Sequence, residues 1–337
     1  MINNNYKSLT NRKTKEGTIY NMKKNSLFLK ILTFTLIFSL KNVSALELDE
    51  YGYYINANNI KISGQELENL QNMGFSEREI IAMEQEEFDN NKNLSGEILA
   101  QTTKYYKTTT TYANASAYSL NNTTTMTSFT VEITEEEYNN SSDETSIKPL
   151  GNTNGYTETN YKKMTTTIVK NGSRYRYKND LVWKKMPSTR SYDIQGIGID
   201  STVSGVSSSK YFTRIADIED SANLVCYFDN STSGSWKLRS TGYAVTFKLP
   251  ANTATKTVTA LSSHMYFDVQ KLTSATILTL NAYGDYKHAQ KTVSSSVSNG
   301  VSIGTGGINF DASISVSITE SYDSMSTAQA TWSGLSW

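Results

Sequence analysis

The sequence predicts a mainly β protein, an antiparallel sandwich or an elongated β-structure, preceded by a short N-terminal helical hairpin. Three observations carry that expectation. About a dozen segments alternate apolar and polar residues, with no helical pattern between them. Thr, Ser, Asn and Tyr crowd the chain while the hydrophobic fraction is only 37%, which suits strands with one wet face better than a thick α/β core. Only three prolines occur, Pro149, Pro187 and Pro250, so long strands can run without interruption.

The chain divides into residues 1–45, 46–100 and 101–337. The first part reads as an N-terminal extension and a secretory signal peptide. Lys23, Lys24 and Lys30 supply a positive start, and residues 31–40 form an apolar run too short to span a bilayer. Val43-Ser44-Ala45 fits a small-residue cleavage site, which places the mature start at Leu46. The long polar stretch ahead of Met22 is foreign to a signal peptide, so Met22 is the expected true start. No cysteine follows the signal and no apolar tail closes the sequence, which argues against a lipid or covalent wall anchor. Secretion from a Gram-positive cell is the expectation.

In residues 46–100, Ser63 with Glu66 and Ser76 with Glu79 read as two capping boxes. Leu67, Leu70 and Met73 make one apolar stripe, stopped by Gly74; Ile80, Ile81, Met83 and Phe88 make the next. The outline resembles a helix-turn-helix, but an exported protein has no DNA to read. A cap on the β domain, or a removable pro-segment whose glutamates shield a basic surface, fits better.

Strand signals begin near Thr102. Threonine- and aromatic-rich alternation runs through residues 104–118 and 123–134, and a polar loop is expected over 138–155. Asn171-Gly172, between two alternating runs, is the strongest hairpin signal in the chain. Further strands are expected at 191–200, 223–230, 236–249, 255–261, 265–270 and 275–284.

Catalytic and metal chemistry find little support. Basic and acidic side chains balance at 32 each, with a pI near 6.8, so no charge excess invites nucleic acid. Cys226 is the only cysteine, and its apolar surroundings predict a buried structural thiol. His264 and His288 sit in no hydrolase, metalloprotease or phosphate-loop motif. Glu135-Glu136-Glu137 and Asp217, Glu219 and Asp220 read as solvated turns. No cofactor, no metal and no enzymatic activity are expected.

Residues 173–190, "SRYRYKNDLVWKKMPSTR", interleave cations with flat rings. Arg174, Arg176 and Lys178 alternate with Tyr175 and Tyr177, followed by Trp183, Lys184, Lys185 and Arg190. Arg174, Arg176, Trp183, Lys184 and Lys185 are therefore candidate contacts for a cell-wall polymer, an acidic glycan or a host surface. The plainer reading is a half-buried strand with rings inward and cations in water. The overlapping stretch "DLVWKKMPSTRSYDIQGIGID", residues 180–200, resembles segments of uncharacterised exported β-rich proteins of Gram-positive bacteria. That resemblance implies an exported protein and no particular activity.

Residues 292–319 write an apolar face and a hydroxyl face on both sides of a Gly-Thr-Gly-Gly turn, with arms of about eleven residues. Ile308, Phe310, Ala312, Ile314, Val316 and Ile318 make the second arm's apolar face. The serine-rich alternation resembles the insertion hairpin of aerolysin-like pore formers. That resemblance implies that Ile308, Phe310, Ile314, Val316 and Ile318 would meet lipid. The same pattern serves a hairpin lying over a soluble sheet. Three function classes stay open: a secreted binding protein first, a pore former inserting 292–319 second, an enzyme of unknown class third.

Overall fold

The computed structural model describes residues 45–113, 125–141, 156–334 and 337. The export signal and the Met22 start, within residues 1–44, and most of the polar loop at 138–155 lie outside the described residues.

The described residues open with β1 (Glu47–Leu48), β2 (Tyr54–Ile55) and β3 (Lys61–Ile62) in one small antiparallel sheet. Helices α1 (Gly64–Asn72), α2 (Glu77–Ala82) and α3 (Gln85–Asn91) follow. Both capping boxes form: the Ser63 and Ser76 hydroxyls accept the N–H of Glu66 and Glu79, whose carboxylates accept the serine N–H in return. Where one second helix was expected, there are two. The Asn56 amide donates to the carbonyls of Ile80 and Met83, and the Asn58 amide to those of Ala82 and Met83. These side chains satisfy the last carbonyls of α2, and Met83 turns extended with ψ 132°.

The strands then run β4 (Gly96–Ala113), β5 (Thr125–Ile133), β6 (Tyr156–Asn171) and β7 (Arg174–Trp183), with the short helix α4 (Glu135–Asn140) between β5 and β6. Next come β8 (Tyr192–Ile199), β9 (Val203–Gly205), β10 (Tyr211–Asp220), β11 (Val225–Ser231), β12 (Ser235–Arg239), β13 (Gly242–Lys248), β14 (Lys256–Lys271) and β15 (Thr279–Lys287). The chain closes with β16 (Val301–Gly304), β17 (Gly307–Phe310), α5 (Val316–Thr319) and β18 (Ala328–Ser333). Every strand pairing is antiparallel, so the mainly β antiparallel class predicted from the sequence is the class observed.

Two large sheets form a sandwich. The first has the order β11-β10-β14-β7-β6-β4-β5, with β9 also on β14, and the second β12-β13-β8-β15-β18. Their facing side chains make the main core, with Met164, Tyr177 and Phe267 from the first sheet and Ile197, Leu280 and Tyr286 from the second. The outer face of the first sheet is covered as well: Leu70, Met73, Phe75, Ile80 and Phe88 pack on Val169 and Tyr266. Strand β4 starts at Gly96, ahead of the expected Thr102, so residues 96–100 belong to the sheet rather than to the helical segment.

Several local expectations are corrected. Asp217, Glu219 and Asp220 lie in a strand, β10, whose alternation is broken by a bulge between Asp217 and Ile218. Glu135 to Glu137 start α4 behind the Thr134 cap rather than a turn. Cys226 is exposed, on the edge strand β11, whose one neighbour among the described residues is β10. The hairpin between β6 and β7 turns on Gly172 and Ser173, with Gly172 at φ +61° and Asn171 paired with Arg174.

The largest correction concerns residues 292–319. The arms are not eleven-residue strands; β16 and β17 pair over four residues each. The Ser294 hydroxyl accepts the Ser296 N–H and opens a 3-10 turn at Ser295–Gly300. Asp311 N–H donates to Gly300 O and closes the hairpin base. Local bonds of this kind compete with a longer ladder. The expected apolar face is broken: Ile308 is buried, Phe310, Ile314 and Ile318 are half-buried, and Ala312 and Val316 are exposed. The hairpin lies over the outer face of the second sheet, where Val301, Ile303 and Ile308 pack on Ile194 and Ala244. Gly198 makes that approach feasible, since a Cβ there would stand 2.1 Å from the Gly304 carbonyl oxygen.

Candidate functional site

Strand β7 is covered on both faces, and that decides the fate of its cations. Tyr175, Tyr177 and Trp183 point into the sandwich core, as alternation predicts. Arg176 and Lys178 point the other way, yet lie buried beneath the helices. Lys178 Nζ donates to both carboxylate oxygens of Glu79, at 2.8 and 3.0 Å, and also to Asp180. On β14, His264 Nε2 lies 2.7 Å from Glu87 Oε1, and its Nδ1 lies 3.0 Å from Glu79 Oε1. Arg176 donates from Nε to Asp268 at 2.8 Å and from Nη1 to the Asn91 side chain, with its guanidinium 4.3 Å from the Tyr266 ring centre. Helices α2 and α3 thus set Glu79, Glu87 and Asn91 against a row of strand cations.

This cluster is built to hold charge in place, not to exchange protons with a substrate. Burial opposes charge on His264, but Glu87 and Glu79 outweigh it and push the imidazole up to about 10. An imidazolium held between two carboxylates has no lone pair to act as a base. Burial also opposes the Glu79 carboxylate, yet Lys178 and His264 hold it well below its ordinary value. Asp180 goes the other way: burial and then the Glu79 charge raise it to about 7, against the pull of Lys178. The dyad therefore divides its roles, with charge on Glu79 and a proton on Asp180.

A second buried network lies between the sheets. Lys162, fully buried on β6, donates to Asp323, which also accepts the His288 backbone N–H at 2.8 Å. Asp193 accepts from the Tyr286 hydroxyl and the Ala289 N–H, with His288 Nδ1 2.9 Å away. Burial lifts Asp285 to about 6 against the counter-charge of Lys287, and its carboxylate accepts the Ile308 N–H at 2.6 Å.

These shifts fix a pH dependence. Asp180, Asp285 and His264 are raised. The contribution of the two carboxyls to stability is complete below about pH 4 and lost as pH rises through 6 to 7, and that of His264 is complete below about pH 6.5 and lost as pH rises toward 10. Glu79 and Asp323 are lowered, so theirs holds above about pH 4 and is lost only in more acid solution. The melting temperature is expected to fall by on the order of 5 °C between about pH 5.5 and pH 8. In Asp180→Asn that fall should shrink; a calorimetric series showing the same slope in wild type and variant would refute the assignment.

The structure does not gather the five predicted contact residues. Arg174 and the pair Lys184 and Lys185 sit at opposite ends of β7, roughly 30 Å apart along the strand. Trp183 is buried against Tyr286 and His288. Lys184 donates to the carbonyls of Tyr138 and Asn139 at the end of α4, and Lys185 is half-buried and also engaged. Arg174 differs: it is exposed, and its side chain has no hydrogen-bond or ionic partner among the described residues. It stands on a cleft of about 390 Å³ with Arg176, Lys210, Tyr211, Asn171 and Glu86. Lys210 donates to Ser207 O at 3.1 Å, and the Tyr211 ring stacks on Tyr266 with centres 5.6 Å apart.

Lys210 and Tyr211 escaped the sequence reading. They follow a 3-10 turn at Ser207–Ser209 that carries no periodic signal, and only the pairing of β10 with β14 brings them beside β7.

Among the described residues no group of three or more His, Cys, Asp or Glu is placed to hold a metal ion. Among them, too, no helix is long and apolar enough to cross a bilayer. No known protein-family model matches the chain, and no curated protein matches its sequence.

Proposed function

We propose that this is an exported binding protein of a Gram-positive cell, which holds an acidic glycan or wall polymer at the Arg174 cleft. The observation that carries this reading is the Arg174 guanidinium, without a partner among the described residues, on one cleft with Lys210 and the Tyr211 ring. A guanidinium fork takes carboxylate or phosphate oxygens in bidentate fashion. A half-exposed ring beside it offers a face for a sugar. Glu86 on the rim disfavours a densely charged polyanion and favours a ligand with spaced acidic groups.

Pull-down of the mature protein on purified cell wall and on acidic polysaccharide tests the reading. Arg174→Ser with Lys210→Ser should weaken retention by about 10-fold or more, since a hydrogen bond to a charged group contributes about 1.5–3 kcal/mol. Lys184→Ser with Lys185→Ser should leave it unchanged. Equal retention of all three proteins would overturn the assignment.

A further inference from the structure

A larger cleft, of about 520 Å³, opens where α2 meets the outer face of the first sheet. Its volume falls in the range of small-ligand sites. Strand register builds its floor. Thr103 on β4 pairs with Thr165 on β6, which pairs with Asp180 on β7, and in the next row Lys163 pairs with Val182. The Thr103 and Thr165 hydroxyls lie 2.9 Å apart and can donate to only one partner each. Lys163 is half-buried and has no hydrogen-bond or ionic partner among the described residues. The helix-side wall is fixed: Arg78 grips Asp217 in bidentate fashion at 2.7 and 3.0 Å and donates from Nε to Ser262. Ile98, 45% exposed, and the half-buried Val182 supply apolar surface beside these polar groups.

We propose that this cleft is a second binding site, for an acidic sugar whose carboxylate pairs with Lys163. The free ammonium takes the carboxylate, the threonine hydroxyls take ring hydroxyls, and Ile98 with Val182 take the C–H face. The site shares a ligand class with the Arg174 reading but none of its residues.

Asp180 makes the site acid-favouring. The charged groups that face it are Glu79 and Arg78 from α2, Lys178 on its own strand, His264 from β14 and Lys163 from β6. Below about pH 7 the Asp180 carboxyl is neutral, and above it the cleft gains one negative charge facing the ligand. A carboxylate ligand is therefore held best in mildly acid solution.

Titration calorimetry with D-glucuronate tests this, with D-glucose and inorganic phosphate as controls. Wild type should bind glucuronate at about pH 5.5 and about 10-fold more weakly at pH 8. Lys163→Gln, at a half-exposed position, should lose about 10-fold at the lower pH. Asp180→Asn should hold its affinity at both values. Arg174→Ser should leave this site unchanged, which separates it from the other cleft. Binding that Lys163→Gln does not weaken, a pH fall that persists in Asp180→Asn, or phosphate bound as well as glucuronate would each overturn the proposal.

Discussion

Lys178→Met is expected to lower the free energy of unfolding by about 3–5 kcal/mol, the cost of breaking a buried ion pair from one side. Lys178 is fully buried and holds two carboxyl groups, Glu79 from the helical segment and Asp180 from its own strand. Without the ammonium, Glu79 keeps only His264 as a cationic partner, and Asp180 faces its charge directly. The denaturant midpoint should fall at nearly constant slope. The loss should be smaller in the double variant Lys178→Met with Glu79→Leu, because removing both charges also removes their desolvation cost. An additive double variant would mean that the two residues contribute separately rather than as a pair.

The same segment should loosen. Glu79 serves twice, since one carboxylate closes the Ser76 capping box and grips Lys178. A chain weakened here should become sensitive to protease between α1 and β4 before the sandwich itself unfolds.

Asp323→Ala should cost a similar 3–5 kcal/mol, by a different route. It leaves Lys162 fully buried with, among the described residues, the Trp183 ring 5.0 Å away to answer its charge. It also strips the His288 backbone N–H of its acceptor. Lys162→Met combined with Asp323→Leu should recover most of the stability. If Asp323→Ala alone unfolds at the wild-type denaturant midpoint, the buried pair contributes nothing and the network has been misread.

How much of this was legible depends on how far apart in the chain the deciding partners lie. The two capping boxes, the β6–β7 hairpin and the inward rings of β7 are local patterns, and each reads directly from the residues. The burial of Arg176 and Lys178 does not. Alternation puts them opposite Tyr175 and Tyr177, but the groups that cover them, Glu79 and Asn91, lie 99 and 85 residues away. Likewise, the pattern of 292–319 allows a long hairpin. It is shortened by bonds from Ser294 and Asp311, and it lies on a second sheet whose Gly196 and Gly198 let Ile303 and Gly304 of β16 approach closely. Strand β10 was hidden by its own bulge. Of the candidate cations only Arg174 stands in the fold as the sequence reads it, exposed, because a residue at a two-residue hairpin turn has few neighbours to bury it.

On the proposed reading Arg174 opens a binding cleft at the β6–β7 turn, while Arg176 and Lys178, the other cations of β7, are held by the fold. Hydrogen exchange of the protein, with and without a saturating acidic oligosaccharide, is the decisive measurement. New protection is expected at the β6–β7 turn around residues 170–176 and across 206–212, where Lys210 and Tyr211 stand. Protection confined to 183–190 around Lys184 and Lys185, or to the β16–β17 hairpin, would contradict it.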